Sequence, residues 1–308
     1  MSILVVGTVA FDTVETPFGR AERILGGSAT YAALAARLVG APVQLSAVVG
    51  RDFPEAHVEA LRSRGVDTEG LVRDPDGETF FWAGRYGLDL NTRETLATHL
   101  NVLATFSPDL PAAYRTPDIV CVGNLDPTVQ TGVIDQAGEG RPLVVADTMN
   151  FWIENTPDAL AETLGRVDVL VINDEEARQL AGVPSLVAAA RIVRAMGPRT
   201  LIIKKGEHGA LLFCDDDVFV APAFPLEDVV DPTGAGDTFL GGLVGHLARL
   251  GSTGPEAMRQ AVVVGSALAS FVVESFGPDR LLALTAAEID GRIDAFRRLS
   301  AVPEIVTA

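Results

Sequence analysis

The stretch Asp231-Pro232-Thr233-Gly234-Ala235-Gly236-Asp237-Thr238 sets a small-residue turn directly before an apolar, helix-competent run from Phe239 to Leu250. The first turn of a helix leaves backbone N–H groups unpaired, and with the helix dipole they favour an anion. Gly234, Ala235 and Gly236 carry almost no side chain, so a phosphate can approach the backbone closely. Asp237 then adds a carboxylate at the mouth of that anion site. For binding alone this placement is unfavourable, because like charges repel. It has a purpose if Asp237 accepts the proton of a hydroxyl that attacks phosphorus. The same residues also read as an Asp N-cap after a Gly-rich turn.

Four other places could carry chemistry. The first strand ends in Gly7-Thr8-Val9-Ala10-Phe11-Asp12. Ligands of open α/β sheets sit outside the carboxyl ends of strands, so Asp12 can hold substrate hydroxyls or serve as a turn aspartate. Gly26-Gly27-Ser28 precedes a small-residue helix, where paired glycines admit a ligand or simply make a tight turn. In Asn173-Asp174-Glu175-Glu176, Asn173 and Glu176 share one face of a helical first turn. An amide and a carboxylate suit hydrated Mg²⁺ near phosphates, and an acidic first turn also suits the helix dipole. Lys204-Lys205-Gly206-Glu207-His208-Gly209 ends a strand, with room for a nucleotide and a lysine for phosphate, or with two solvated lysines in a turn. His208 in that turn reads as a surface residue.

Rival motifs are missing. The chain has no G-x-x-x-x-G-K-[ST], no H-E-x-x-H and no G-x-S-x-G, and Phe239 stands where G-x-G-x-x-G needs its third glycine. A formal net charge of -17 over 308 residues argues against a nucleic-acid partner. The two cysteines, Cys121 and Cys214, fit neither a disulfide framework nor a zinc site. Met1–Val9 lacks a basic leader and reads as a first strand. The longest apolar stretch, Ala261–Val273, falls short of the roughly 20 residues a membrane span needs. A cytoplasmic protein without membrane contact is expected.

The elements that must position these residues follow a βαβ rhythm. Strands are expected at Ile3–Val6, Val43–Val49, Ile119–Val122, Leu143–Ala146, Val167–Ile172 and Leu201–Lys204, mostly as continuous apolar runs. Helices are expected at Ser28–Val39, Pro54–Arg64, Thr128–Ala137, Asp158–Gly165 and Leu186–Met196, and later at Asp237–Leu250, Pro255–Glu274 and Ala286–Leu299. This pattern predicts a doubly wound, mainly parallel sheet flanked by helices. Ala210–Cys214 and Val218–Val220 read as a late hairpin. Phe11–Leu25 and Glu78–Leu103 break the rhythm and predict antiparallel strands that form a small lid. One domain over residues 1–308 is expected, with lid segments at about 11–25 and 78–103.

Together these motifs resemble the PfkB (ribokinase-like) family of carbohydrate and nucleoside kinases, along essentially the whole chain. Asp231–Phe239 is similar to its second signature, Gly26-Gly27 to its first, Asn173…Glu176 to its N-x-x-E motif, and Lys204…Gly206…Gly209 to its nucleotide loop. The resemblance implies a ribokinase-like fold with Asp237 as the base. It implies an anion hole of Gly234, Ala235, Gly236 and Asp237 amides, and Mg²⁺ ordered through water by Asn173 and Glu176. ATP would lie along Lys204, Gly206 and Gly209, with the acceptor held by Asp12, Gly26 and Gly27. Asp231 and Thr233 fall where many members bind a monovalent cation, so K⁺ is a candidate activator. Where many members carry Asn after the glycine pair, this chain has Tyr31. Asp147-Thr148-Met149-Asn150-Phe151-Trp152 lacks the D-x-N-x-R pattern of fructokinase-like members. Tyr31, Asp147, Asn150 and Trp152 are the expected further acceptor contacts, and they tilt the reading toward a bulky or aromatic acceptor.

The expected activity is ATP-dependent phosphorylation of an alcohol on a small sugar, polyol or nucleoside. The alternative is a non-catalytic nucleotide- or sugar-binding regulator on the same fold. A homodimer through lid edges is compatible with either reading.

Overall fold

The structure, a computed structural model, describes residues 1–301; the last stretch of the expected domain, 302–308, lies outside the described residues. In chain order the strands are β1 (Ile3–Val6), β2 (Ala10–Thr16), β3 (Gly19–Gly26), β4 (Val43–Gly50), β5 (Val66–Asp74), β6 (Phe81–Tyr86), β7 (Arg93–His99), β8 (Ile119–Val122), β9 (Leu143–Ala146), β10 (Val169–Asn173), β11 (Thr200–Lys204), β12 (Ala210–Cys214) and β13 (Asp217–Ala221). The helices are α1 (Ser28–Leu38), α2 (Glu55–Ser63), α3 (Pro127–Ala137), α4 (Asn150–Asn155), α5 (Pro157–Leu164), α6 (Asp174–Ala181), α7 (Leu186–Arg194), α8 (Ala235–Leu250), α9 (Pro255–Val272), α10 (Asp279–Ala283) and α11 (Ala286–Leu299).

The main sheet has nine strands in the order β13-β12-β11-β10-β9-β8-β1-β4-β5. Its pairs are parallel except for the antiparallel β11–β12–β13 end. This is the doubly wound sheet that the apolar runs predict. In β1, Ile3 and Val5 join one core cluster and Leu4 and Val6 the other, because successive side chains leave opposite faces. Residues of α1, α8 and α9 fill the first cluster, and residues of α3, α5 and α7 fill the second. The approach of α8 to α1 is close. A Cβ at Gly241 would lie 2.1 Å from the Ala32 carbonyl oxygen, and one at Gly245 would lie 2.7 Å from Ala36 Cα.

The edge strand β5 was not anticipated. Its residues Asp67, Glu69 and Gly70 interrupt any apolar run, and its burial alternates as expected for a strand open to solvent on one face. The short helices α4 and α10 likewise carry too few apolar positions to show a period.

The second sheet is the lid, in the order β3-β2-β6-β7. Its two hairpins, β2–β3 and β6–β7, are antiparallel as expected. They meet through a parallel pair, β2–β6, so the lid is mixed and not antiparallel throughout. The physical reason lies in the connection. A long excursion through β4, α2 and β5 separates the hairpins, and a crossover of that length lets β6 run alongside β2 in the same direction. Among the described residues, no helix is long and apolar enough to cross a membrane. Cys121 and Cys214 are free thiols.

Candidate active site

The anion turn forms as its small residues dictate. Gly234 caps α8 at φ 77°, a left-handed conformation that disfavours side chains. A Cβ there would also lie 2.5 Å from the Tyr31 ring. The Ala235 amide donates to the Pro232 carbonyl and the Thr238 amide to that of Gly234, whereas no carbonyl among the described residues takes the amides of Gly236 and Asp237. Asp231 is fully buried, and its carboxylate accepts from the Thr233 amide at 2.8 Å and the Gly277 amide at 3.4 Å. It therefore pins the turn from below. Burial raises its carboxyl, and a bond from the Thr233 side chain, then those amide bonds, oppose the rise.

Asp237 stands on the first turn of α8. Burial pushes its carboxyl up to about 6, with the Asp147 charge adding to the rise and Lys204 and Arg93 opposing it. Asp12 projects from β2, 5% exposed. Burial lifts it to about 7, the Gly27 amide works against this, and the charges of Asp231 and Asp237 reinforce it. Gly26 leaves the space Asp12 needs, since a Cβ there would lie 2.0 Å from Asp12 Oδ2. Gly27, at φ 94°, turns the chain from the lid into α1, and reciprocal bonds lock the start of the helix. The Thr8 amide donates to Ser28 Oγ at 3.0 Å, and the Ser28 amide donates to Thr8 Oγ1 at 2.9 Å.

Against Gly234 lies Tyr31, 1% exposed, with no hydrogen-bond partner for its hydroxyl. Burial, then the charges of Asp12, Asp231 and Asp237, hold the phenol well above its ordinary value. It stays a neutral donor facing acidic neighbours.

On the other side of the anion turn, Lys204 Nζ lies 3.3 Å from Asp147 Oδ2 and 2.9 Å from where a Cβ of Gly236 would sit. Burial opposes its charge, but Asp147, Glu176 and Asp237 raise its pKa on balance. Asn173 and Glu176 make a capping box. The Glu176 amide donates to Asn173 Oδ1 at 2.8 Å, and the Asn173 amide donates to Glu176 Oε2 at 2.7 Å. The cap reading of this motif is the one seen, and the same cap turns a buried carboxylate toward Asp147 and Lys204. Burial first and Asp147 second raise Glu176 to about 7. The following loop returns through Gly206 and Gly209, at φ 54° and 84°, and the Lys205 amide closes it by donating to the Gly209 carbonyl at 2.8 Å.

This arrangement gathers two carboxylates, Asp12 and Asp237, near amides that no backbone carbonyl among the described residues takes. Lys204 and a second carboxylate pair, Asp147 and Glu176, lie close by. It can bind an anion at the α8 terminus, hold a hydroxyl-bearing molecule by Asp12 and move a proton to Asp237. A family model described as pfkB family carbohydrate kinase matches residues 2–283. The chain belongs to that family.

Relatives of this pfkB kinase agree along its length. A cytidine kinase from Thermococcus kodakarensis is 30% identical over 253 residues, covering 81% of this chain and 89% of its own. The solved nucleoside kinase of Burkholderia thailandensis in complex with inosine superposes at a TM-score of 0.76 and 23% identity, over 95% of this chain and 98% of its own. Aminoimidazole riboside kinase from Salmonella enterica, complexed with aminoimidazole riboside and an ATP analog, gives 0.74 at 20% identity, over 95% and 100%. These superpositions show the ribokinase-like fold. The family match makes the protein a kinase.

Within this pfkB kinase, Asp12, Gly26, Gly27, Tyr31, Gly234 and Asp237 come together. Asp147 follows β9 and sits with Lys204 and Glu176, and its charge also acts on Asp237. Asn150 donates to Gln179 Oε1 and lines an outer cleft of about 500 Å³ with Glu154, Glu175 and Arg178. None of Asp12, Gly26 or Asp237 lines that cleft. The Trp152 indole N–H donates to Asn124 Oδ1 at 2.8 Å. His208 is exposed, as its turn suggests. The sequence places Tyr86, Asn91 and Arg93 within the lid segment but gives them no contact with the site. The Tyr86 and Thr233 hydroxyls lie 3.3 Å apart, and Asn91 Oδ1 lies 2.8 Å from where a Cβ of Gly206 would be. The only signal for them was the turn at Asp89-Leu90-Asn91, whose Asp89 accepts from the amides of Asn91 and Thr92.

Proposed function

We propose that this kinase transfers the γ-phosphoryl group of ATP to an alcohol of a nucleoside or a similar small polyhydroxy compound. The observation that carries this reading is Asp237, a half-buried carboxylate on a glycine-capped helix terminus, electrostatically coupled to Asp12. Asp12 accepts hydrogen bonds from acceptor hydroxyls and so fixes which oxygen faces Asp237. As the O–P bond forms, that hydroxyl's proton passes to Asp237, and the amides of Gly236 and Asp237 receive the phosphoryl oxygens. Lys204 follows the donor phosphates, and the Gly206–Gly209 loop leaves room for the nucleotide. The nucleoside preference is supported by Trp82, which lies beside Asp12 in the β2–β6 register and offers an aromatic face to a base. It is supported too by the cytidine and nucleoside kinases among the relatives.

Among the described residues, no cluster of three or more acidic, histidine or cysteine side chains could hold a metal ion. Asn173 and Glu176, an amide and a carboxylate on one helical turn, fit Mg²⁺ carried mainly by phosphate oxygens and water, whose waters they would order. Bound there, Mg²⁺ would neutralise phosphate charge. A monovalent cation such as K⁺ fits beside Asp231 and Thr233, where a fully buried carboxylate has no ion-pair partner among the described residues. A homodimer belongs to the same reading, through the open lid edges β3 and β7.

The test is a panel of nucleosides, sugars and inositols assayed for ATP consumption, with Asp237→Asn alongside. The variant should lose about 10²–10⁴ in kcat, the usual worth of a general base. Turnover near that of the unmodified enzyme would remove Asp237 from this role.

A further inference from the structure

One lysine stands among three carboxylates, and it is paired with the one that the proposed transfer leaves unused. Lys204 ends β11, in register with Asn173 on β10. Its ammonium lies 3.3 Å from Asp147 Oδ2, its only ion pair among the described residues. Glu176 and Asp237 also raise its pKa, so both carboxylates act on the same ammonium. Lys204 Nζ lies 2.9 Å from where a Cβ of Gly236 would sit, at the turn whose Gly236 and Asp237 amides no backbone carbonyl among the described residues takes. A lysine is a point charge on a flexible four-carbon stem, so the anion that holds it sets its position.

Asp147 is built as a fixed anchor. It follows β9 and is buried. Its amide donates to the Val122 carbonyl at 3.1 Å. Gln130 Nε2, on α3, donates to the carbonyls of Gly123 at 2.8 Å and of Asp147 at 3.0 Å, which clamps the ends of β8 and β9 together. The Thr148 amide donates to Asp147 Oδ1 at 2.8 Å, which fixes the carboxylate and leaves Oδ2 for Lys204. A buried ion pair adds little net stability, because desolvation offsets much of the attraction. What this pair does set is where the charge sits. Released from Asp147, the ammonium has Asp237 and Glu176 as its remaining anions. On Asp237 it would lower that carboxylate's affinity for a proton and cover the oxygen that must receive one.

We propose that Asp147 is a positioning residue, which holds the Lys204 ammonium at the anion turn to meet phosphoryl oxygens and keeps it off Asp237. The proposal rests on the kinase reading above. No bond to Asp147 is made or broken in the transfer. The hydroxyl proton still passes to Asp237, and Lys204 keeps its own proton while it neutralises charge on the oxygens beside the Gly236 amide. Asp147 acts through Lys204 and has no part in the rate once that ammonium is removed.

A double-mutant cycle of Asp147→Asn and Lys204→Met, singly and together, tests this, with Asp147→Glu alongside. Each variant would be assayed in steady-state turnover. Each would also be tested calorimetrically for binding of the β,γ-imido analogue of ATP, with MgCl₂ present. Asp147→Asn should lower kcat by about 10–10² while the acceptor KM stays within about threefold. Lys204→Met should lose at least as much, and the double variant should lose no more than Lys204→Met alone. Asp147→Glu should recover part of the loss, since it restores the anion on a longer stem. The imido analogue should bind Lys204→Met about tenfold more weakly, and Asp147→Asn should weaken it only where Lys204 is present. Near-normal kcat in Asp147→Asn would overturn the assignment. So would an equal loss from Asp147→Asn in the Lys204→Met background, which is what a merely structural Asp147 gives. If no acceptor is turned over, the kinase reading fails, and the cycle in analogue binding still judges Asp147.

Discussion

Asp237 and Asp12 are carboxylates held away from water with too few cations nearby, and their protonation should govern the rate. A base must be ionised to accept a proton, so activity falls when Asp237 is protonated. With burial lifting Asp237 to about 6 and Asp12 to about 7, acceptor kcat/KM should rise with pH through that window and level off above it. Asp12→Asn should remove the upper inflection and leave the lower one. A profile flat between about pH 5 and 8 would contradict the assignment. The type and place of these residues were legible in the sequence, because Gly-rich turns and strand ends restrict what a carboxylate can do there. The neighbours of Asp147 were not legible. It follows a strand end just as Asp12 does, and only the adjacency of β9, β10 and β11 reveals that Lys204 takes its charge.

At the scale of elements, the main sheet was readable because doubly covered strands are continuous apolar runs. β5 was not, because a half-exposed edge strand alternates and tolerates Asp67 and Glu69. The lid hairpins were visible as breaks in the rhythm, but their parallel junction depends on a crossover whose direction local sequence does not encode. That junction sets Trp82 next to Asp12, with its ring folded over Gly84, where a Cβ would lie 2.2 Å from it. In a Trp152→Phe background, binding of a productive acceptor should therefore change Trp82 emission, and the nucleotide alone should change it less. Emission indifferent to every acceptor that turns over would show that the lid does not cover the acceptor.

Across the whole molecule, the buried carboxylates shape stability as well as catalysis. Asp12, Glu176 and Asp237 rise from 3.8, 4.5 and 3.8 to about 7, 7 and 6 on folding. Between about pH 4 and 7 the folded chain therefore binds more protons than the unfolded one, and stability falls as pH rises through this window. His57 and His246, lowered by burial, act in the opposite sense, but only up to about their ordinary value of 6.5. The net charge of -17 pushes the same way as the carboxylates, since it grows more negative with pH. Scanning calorimetry of the ligand-free protein should give a Tm several degrees higher near pH 5 than near pH 8, and the reverse order would refute this balance. The close seating of α8 on α1 has a further consequence. α1 follows directly from the glycines that hold Asp12 and carries Tyr31, while α8 carries Asp237 and the receiving amides, and Gly241 and Gly245 weld the two helices backbone to backbone. On the proposed mechanism, the reach between acceptor oxygen and base is thus a dimension of the core, fixed before any ligand arrives. The lid can be exchanged to admit a different acceptor without resetting that dimension, so selectivity and chemistry can diverge independently in this chain's descendants.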